Sequence, residues 1–351
     1  MFLKIENITI RLGKFNLKDI NLEVKEGQYV TIIGPSGSGK SILLENIAGF
    51  YTPNKGKVYL KGEDITYKNI EDRNISIVYQ DYVLFPHMSV YENILYGLRK
   101  KSTEKIDNEK EVREIATLLN IDHLLERKPL TLSGGEMQRT SIARALVVKP
   151  ELLLMDEAFS ALDYKIKKEM RKLVKDVAKK YGTTVLHVTH DFEDVWAMAD
   201  MCVVLRFGEI LQVGKPDEIF AHPNSDFVAN FVGTNIFEAT VVRKEPDLTI
   251  LNADGFEVYS SCEAKIGEKV RLSIRPENII ITTTKIETSA KNEIEGMIIK
   301  VEKRGHIMEL SVQINSIILI VMMTPNSYEH LSLALHSHVF LSFKATSVGL
   351  Y

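Results

Sequence analysis

The sequence predicts an α/β domain on a largely parallel sheet, interrupted by a helical subdomain and followed by a separate all-β domain. Three observations carry this. The β-branched run Tyr29–Ile33 enters a glycine-rich turn, then KSILLENIA, whose Leu43, Leu44, Ile47 and Ala48 share one helical face before Gly49 stops it. Two further apolar strands, Leu152–Met155 and Thr184–Thr189, are separated by a charged helix from about Tyr164 that ends at Gly182. Beyond Gly233 short alternating strands take over, with turns at Glu245-Pro246-Asp247, Asp254-Gly255 and Gly305.

In chain order, MFLKIENITI alternates apolar and polar residues like a first strand and lacks the apolar core of a signal peptide, so it is expected to be mature structure. From Asp81 to about position 128 the pattern is helical without strands, which predicts the inserted subdomain. The helix KIKKEMRKLVKDVAKK turns Met170, Leu173, Val174 and Val177 inward and leaves its lysines as a solvated face. These elements place one domain over 1–233 and a β-rich domain over 236–351. The second carries an internal echo: FEATVV at 237–242 resembles IEGMII at 294–299, and VRLSIRP at 270–276 resembles VFLSFKA at 339–345. Two half-repeats forming small five-stranded barrels, or one intertwined pair, account for it.

Composition narrows the function classes. At 351 residues and about 150 per domain, the chain holds about two domains. The balance of 45% hydrophobic and 26% charged residues is that of a soluble globular protein. Lys+Arg 44 against Asp+Glu 47 gives a net charge of -3, which argues against nucleic acid as a partner. Cys202 and Cys262 are the only cysteines, a usage that fits a reducing compartment without a disulfide. The longest apolar run, Ile317–Met323, falls far short of the ~18 residues of a spanning helix, so a membrane role must come through a partner.

Chemistry concentrates in three places. Gly34-Pro35-Ser36-Gly37-Ser38-Gly39-Lys40-Ser41 fits the phosphate-binding loop and lies between a strand and a helix, as that motif requires. Its glycines let backbone N–H groups converge on a β-phosphate at a helix N-terminus, Lys40 offers a cation to β/γ oxygens, and the Ser41 hydroxyl can hold Mg²⁺. A flexible Gly/Ser turn is the bland alternative. The strand Leu152–Met155 delivers Asp156 and Glu157 to its C-terminal tip, where ligands sit in open α/β sheets. Asp156 would accept Mg²⁺ or its water and Glu157 would act as general base, although an acidic strand end can also be a plain helix N-cap. Leu132-Ser133-Gly134-Gly135-Glu136 opens another helix, so Ser133 and the glycine N–H groups form a second anion site. With one phosphate loop already present, this second site is best explained as completing the pocket of another copy.

With these motifs the chain resembles the ATP-binding subunits of ATP-binding cassette transporters, whose distinguishing motif is LSGGE; the resemblance covers residues 1 to about 233. It implies ATP and Mg²⁺ as the groups bound, and a second copy of the chain facing the first. Gln80 matches the glutamine that couples the γ-phosphate and its metal to the helical subdomain. Ser160-Ala161-Leu162-Asp163 matches the loop that reaches across the dimer, and His190 the histidine that meets the γ-phosphate and orients water. His187 reads as an ordinary strand histidine. Two positions depart from the family pattern. Leu12 stands where an aromatic residue usually stacks on adenine, so either Phe15 takes over or the base is held by looser apolar contact. Ala158 stands where proline commonly follows the catalytic glutamate.

Within that superfamily FPHMSVYENI and the β-rich second domain resemble the importer type, which implies transmembrane permease subunits, an extracellular substrate-binding protein acting through them, and a peripheral place at the cytoplasmic face of the membrane. The β domain resembles the transport-associated, molybdate-binding oligonucleotide-fold type (TOBE/Mop). Its segments TSAKNEI at 288–294 and FKATSV at 343–348 resemble those that hold molybdate or tungstate. Ser289, Thr346 and Ser347 supply hydroxyls and Lys291 and Lys344 supply charge, the donors a tetrahedral dianion needs. Ordinary polar strand ends are the alternative. Three functions therefore compete: an importer ATPase for molybdate, tungstate or another cargo such as sulfate, ferric iron, polyamines or sugars; a soluble cassette ATPase without a permease; and an oxyanion sensor whose ATPase is incidental.

Overall fold

The computed structural model describes residues 1–98, 105–286, 288–305 and 307–350. Positions 99–104 of the expected helical subdomain lie outside the described residues. Backbone contacts divide the chain into Met1–Pro216 and Asp217–Tyr351, a break that falls earlier than 233. The segment between belongs with the β unit because Thr234 Oγ1 donates to the Phe220 carbonyl at 3.0 Å and Ser273 Oγ to the Ala221 carbonyl at 2.7 Å.

In the first unit, a six-stranded sheet runs in the order Glu209–Gly214, Met201–Arg206, Tyr29–Ile33, Thr184–Val188, Leu152–Asp156, Ile75–Val78. Five strands are parallel and Glu209–Gly214 is the antiparallel edge. A second, antiparallel sheet holds Phe15–Val24, Leu3–Leu12, Lys55–Leu60 and Glu63–Asp64. The parallel strands are apolar on both faces because each face meets its own core. Leu152 and Leu154 enter the core shared with the antiparallel sheet and helix Lys40–Ala48, whereas Leu153 and Met155 enter the core of the helical subdomain.

That second core gathers Val90, Ile94 and Leu98 of helix Val90–Leu98, Val112, Ile115 and Ala116 of helix Lys105–Leu118, and Ile142 and Leu146 of helix Gly134–Leu146. Helix Tyr164–Tyr181 starts at Asp163, whose Oδ1 accepts the Ile166 N–H at 3.0 Å, and ends at Gly182 with φ of 64°. It buries Met170, Val174 and Val177 as expected, but Leu173 is only half-buried and Arg171 is buried instead. Leu154 is fully buried. Leu154→Ala is expected to cost about 2–5 kcal/mol of unfolding free energy, measured by denaturant titration, and a loss below about 0.5 kcal/mol would contradict this packing.

In the second unit, the echo in sequence is an echo in structure. Asn235–Glu245 pairs with Leu248–Ala253 and Lys269–Ile274, and Asn292–Arg304 pairs with Ile307–Ile314 and His338–Phe343 in the same antiparallel pattern. The last strand of each half then crosses over. Ile280–Thr282 pairs with His338–Phe343 of the second half, and Val348–Leu350 pairs with Lys269–Ile274 of the first. Of the two arrangements expected, this is the intertwined one, and a single core runs through both halves. Equivalent asparagines lock the exchange. The Asn235 side chain accepts from Ile320 N at 2.6 Å and donates to its carbonyl at 2.8 Å, and Asn292 does the same to Tyr259 at 2.7 and 3.0 Å.

Candidate nucleotide site

The strand Tyr29–Ile33 ends in a loop that only glycine can make. A Cβ on Gly34 would collide with the Leu205 carbonyl, and one on Gly39, at φ of 101°, with the Phe15 ring. The loop feeds helix Lys40–Ala48, so its N–H groups and the helix dipole favour an anion there. A cavity of about 390 Å³ opens over it, lined by Phe15, Ser36, Gly37, Gly39, Lys40, Ser41, Ile42 and Glu157. Seven of these eight are residues the sequence singled out. Ser38 is buried beneath, and its carbonyl accepts the Gly208 N–H at 3.0 Å. Both candidates for the adenine pack against the same core, and of the two only Phe15 is among the cavity's lining residues.

Charge in the cavity is unbalanced in a way that suits a polyphosphate with a metal. Lys40 Nζ donates to the carbonyls of Gly34 at 2.9 Å and Pro35 at 3.0 Å, and burial pulls its pKa down against the opposing pull of Glu157 and Asp156. Burial pushes the Asp156 carboxyl up, the Ser41 hydroxyl hydrogen-bonded to it pulls it down, and the neighbouring Glu157 raises it. One Asp156 oxygen, Oδ1, is buried without a partner. An orphaned carboxylate oxygen beside a hydroxyl fits a hard cation that takes oxygen ligands, so these residues fit Mg²⁺.

Parallel register brings the other candidates level with one another. Val78 pairs with Met155, Met155 with His187 and Asp156 with Val188, so Gln80, Glu157 and Thr189 all follow the C-terminal ends of adjacent parallel strands. Glu157 is held at φ of 48°, with its N–H donating to Val188 O at 2.9 Å and its carbonyl accepting from both the N–H and hydroxyl of Ser160 at 3.0 and 2.8 Å. Its Oε2 lies 3.3 Å from His190 Nδ1. The backbone bonds of Glu157 hold a non-glycine residue in the left-handed region. Gln80 is exposed and is not among the cavity's lining residues.

Ser133 and Gly135 stand apart from the cavity, at the head of helix Gly134–Leu146. Ser133 is engaged in a capping box: its N–H and hydroxyl donate to Glu136 Oε2 at 2.7 and 2.8 Å, and its Oγ accepts the Glu136 N–H at 3.4 Å. His187 is buried, with Nδ1 3.2 Å from the Tyr29 hydroxyl and its ring edge-on to Phe159; burial holds its pKa at about 4, so it is a neutral core group. The sequence reading missed Arg171, buried among Asp191, Glu193 and Asp194 beside His190. Its signal was the acidic run after His190 together with an arginine on the inward stripe of a lysine-rich helix.

On the β unit, Asn292 and Phe343 form the terminal pair of their strands, so Lys291 and Lys344 each adjoin that pair and the two segments singled out in sequence are neighbours. Ser289, Lys291, Lys344 and Thr346 are exposed and Ser347 half-buried, and the Ser347 N–H donates to the Lys344 carbonyl at 3.0 Å. Among the described residues no helix is long and apolar enough to cross a membrane.

The profile of the family described as ABC transporter matches residues 17–160, and that of the TOBE domain matches 288–350. The chain is 41% identical over 353 residues to the molybdate/tungstate import ATP-binding protein WtpC of Pyrococcus horikoshii, covering 99% of both chains. It is 39% identical over 308 residues to the spermidine/putrescine import ATP-binding protein PotA of Vibrio cholerae, covering 87% of this chain and 81% of the relative. Among solved structures it resembles cbiO1 of Clostridium perfringens, part of an ABC transporter complex, with a TM-score of 0.59 at 31% identity over 63% of this chain and 91% of that one. It also resembles a dimeric ATP-binding cassette in a post-hydrolysis state with ADP and phosphate, with a TM-score of 0.54 at 32% identity over 61% and 98%. With the phosphate loop, the acidic strand end and the capped LSGGE helix on one α/β unit, and a TOBE-type β unit after it, the chain belongs to the ATP-binding subunits of the ATP-binding cassette transporters.

Proposed function

We propose that two copies of this chain drive an importer of molybdate or tungstate, each ATP lying between the phosphate loop of one copy and the LSGGE helix of the other. The observation that carries the reading is the incomplete cavity: one chain gathers the loop, Lys40 and Glu157, yet leaves Ser133 and Gly135 outside. Ser41 and Asp156, with Gln80, would hold Mg²⁺, which when bound neutralises charge on the β- and γ-phosphate oxygens. Glu157 takes the proton from the attacking water while His190 orients it, and Phe15 packs on the adenine. The chain works at the cytoplasmic face of the membrane, docked on permease subunits that receive cargo from an external binding protein.

The cargo assignment rests on the basic corner of the β unit together with the identity to the Pyrococcus horikoshii protein. The Vibrio cholerae relative favours a polyamine as the second reading. The two differ in sign of charge. Lys291 and Lys344, each next to the terminal strand pair Asn292–Phe343, would attract a dianion and repel a polycation. A cytosolic oxyanion site on an import motor meets only cargo already inside, so it acts as feedback provided the oxyanion prefers a state in which the cassettes are held apart.

Tungstate or molybdate is therefore expected to lower the ATPase rate of the assembled transporter by about fivefold or more, sulfate to act more weakly, and spermidine to have no effect. Lys344→Ala or Ser289→Ala should relieve the inhibition without changing the basal rate. If millimolar tungstate neither binds the full chain by calorimetry nor alters turnover, the oxyanion cargo is wrong and the ATPase assignment stands alone.

A further inference from the structure

The helix that follows the Ser160–Asp163 loop carries a buried arginine that does not touch the cavity. Arg171 is 5% exposed, and each of its three nitrogens meets a different carboxylate: Nε to Asp194 Oδ1 at 2.6 Å, Nη1 to Glu193 Oε2 at 2.6 Å and Nη2 to Asp191 Oδ2 at 2.7 Å. Lys167, one turn earlier, reaches Asp191 at 3.5 Å. The other oxygen of Asp194 accepts the Thr189 hydroxyl at 2.5 Å, and the Thr189 Oγ1 in turn accepts the Asp191 N–H at 3.0 Å. Asp191, on one side of His190, is thus fastened to the guanidinium directly, and Thr189, on the other, through Asp194.

We propose that Arg171 is a positioning residue for His190, fixing the Thr189–Asp191 segment from the helix that begins at the Ser160–Asp163 loop. The proposal rests on the reading of His190 as the side chain that meets the γ-phosphate. His190 itself is 60% exposed and 3.3 Å from Glu157, so its aim depends on the backbone beneath it. That backbone is held on one side by the strand, where Thr189 N–H donates to Ile32 O at 3.2 Å, and on the other by the arginine cluster. Three carboxylates within reach of each other repel unless a cation sits among them, and only a planar fork can satisfy three directions at once. The same fork ties His190 to the element capped by Asp163, so a shift of the loop at 160–163 moves the histidine with it.

Arg171→Lys keeps the charge and loses the fork. Turnover is expected to fall about 10-fold to 100-fold, while the KM for ATP stays within about twofold, because the loop around Lys40 is untouched. In a His190→Ala background, read as single-turnover phosphate release, the same substitution should change the residual rate by less than about twofold, because residues acting through one group are not additive. A merely structural role would instead lower both backgrounds by the same factor, and that result overturns the proposal. If Arg171→Lys does not fold by circular dichroism, Thr189→Val removes the hydroxyl bridge without removing a charge and should show the same non-additivity. If His190→Ala alone leaves turnover intact, the role given to His190 fails first and the proposal falls with it, a pattern distinct from equal losses in both backgrounds.

Discussion

Glu157→Gln is expected to lower ATP turnover about 10²-fold to 10⁴-fold while the protein still binds ATP. The amide has the size of the carboxylate and can keep the contact to His190 now made at 3.3 Å, but it cannot accept the proton of the attacking water. The backbone that aims the side chain does not depend on it, since the Glu157 N–H and carbonyl are held by Val188 and Ser160. Binding is expected to persist because the proposed phosphate contacts, the loop N–H groups and Lys40, are untouched by the substitution. Removing a carboxylate from beside a polyphosphate also relieves repulsion, so affinity should hold or improve. Equilibrium nucleotide binding and phosphate release at saturating ATP separate the two effects, and sedimentation should show the variant accumulating as an ATP-bound dimer. Turnover at the wild-type rate would remove Glu157 from the role of base.

Why the nucleotide site was legible while Arg171 was not follows from how each is specified. The phosphate loop is local: its glycines, lysine and serine act through backbone geometry set within eight residues, so the motif carries its own context. Asp156 and Glu157 were legible for a related reason, since a buried strand can deliver charge only at its end. Arg171 stands 20 to 23 residues from its carboxylates, which lie at the N-cap and first turn of helix Phe192–Met198, and their meeting depends on how that helix packs against Tyr164–Tyr181. Leu173 against Arg171 shows the limit of periodicity. Both lie near the inward stripe, and the choice between them was made by three carboxylates that a hydropathy pattern does not weigh.

The β unit divides the same way. Repeated strands were visible as an echo, and the placement of Lys291 and Lys344 at one end of the sheet follows from strands that start at Asn292 and end at Phe343. The exchange of last strands was not fixed by the echo, because Ile280–Thr282 is apolar enough to pair in either half. Asn235 and Asn292 settle it by filling backbone donors and acceptors of the opposite half, and a buried asparagine left unpaired would be costly. Ser133 offered a different surprise. Its hydroxyl, expected to face a phosphate, donates to Glu136 within its own chain, which the S-x-x-E spacing of a capping box would have suggested.

Mixing two inactive variants is expected to restore activity if the site is shared between chains. Lys40→Ala removes the ammonium that now rests on the Gly34 and Pro35 carbonyls and would turn to the β/γ oxygens. Ser133→Arg fills the head of helix Gly134–Leu146 and deletes its cap, a loss of about 0.5–2 kcal/mol in stability, so the variant should remain folded. Neither residue touches the other's cavity within one chain, as Ser133 lies outside the space lined by Lys40. In a heterodimer the intact loop of the Ser133→Arg chain meets the intact LSGGE of the Lys40→Ala chain, and the remaining site carries both defects. With random pairing half the dimers are mixed and each has one good site, so turnover should recover to about a quarter of wild type. Each variant alone should stay near zero. If mixing restores nothing although mixed dimers are demonstrated by differential tagging, either each chain hydrolyses alone or one intact site cannot fire without the other. A tandem fusion carrying both defects in one half and none in the other then decides: activity there means each half works by itself, and silence means the two sites act only together.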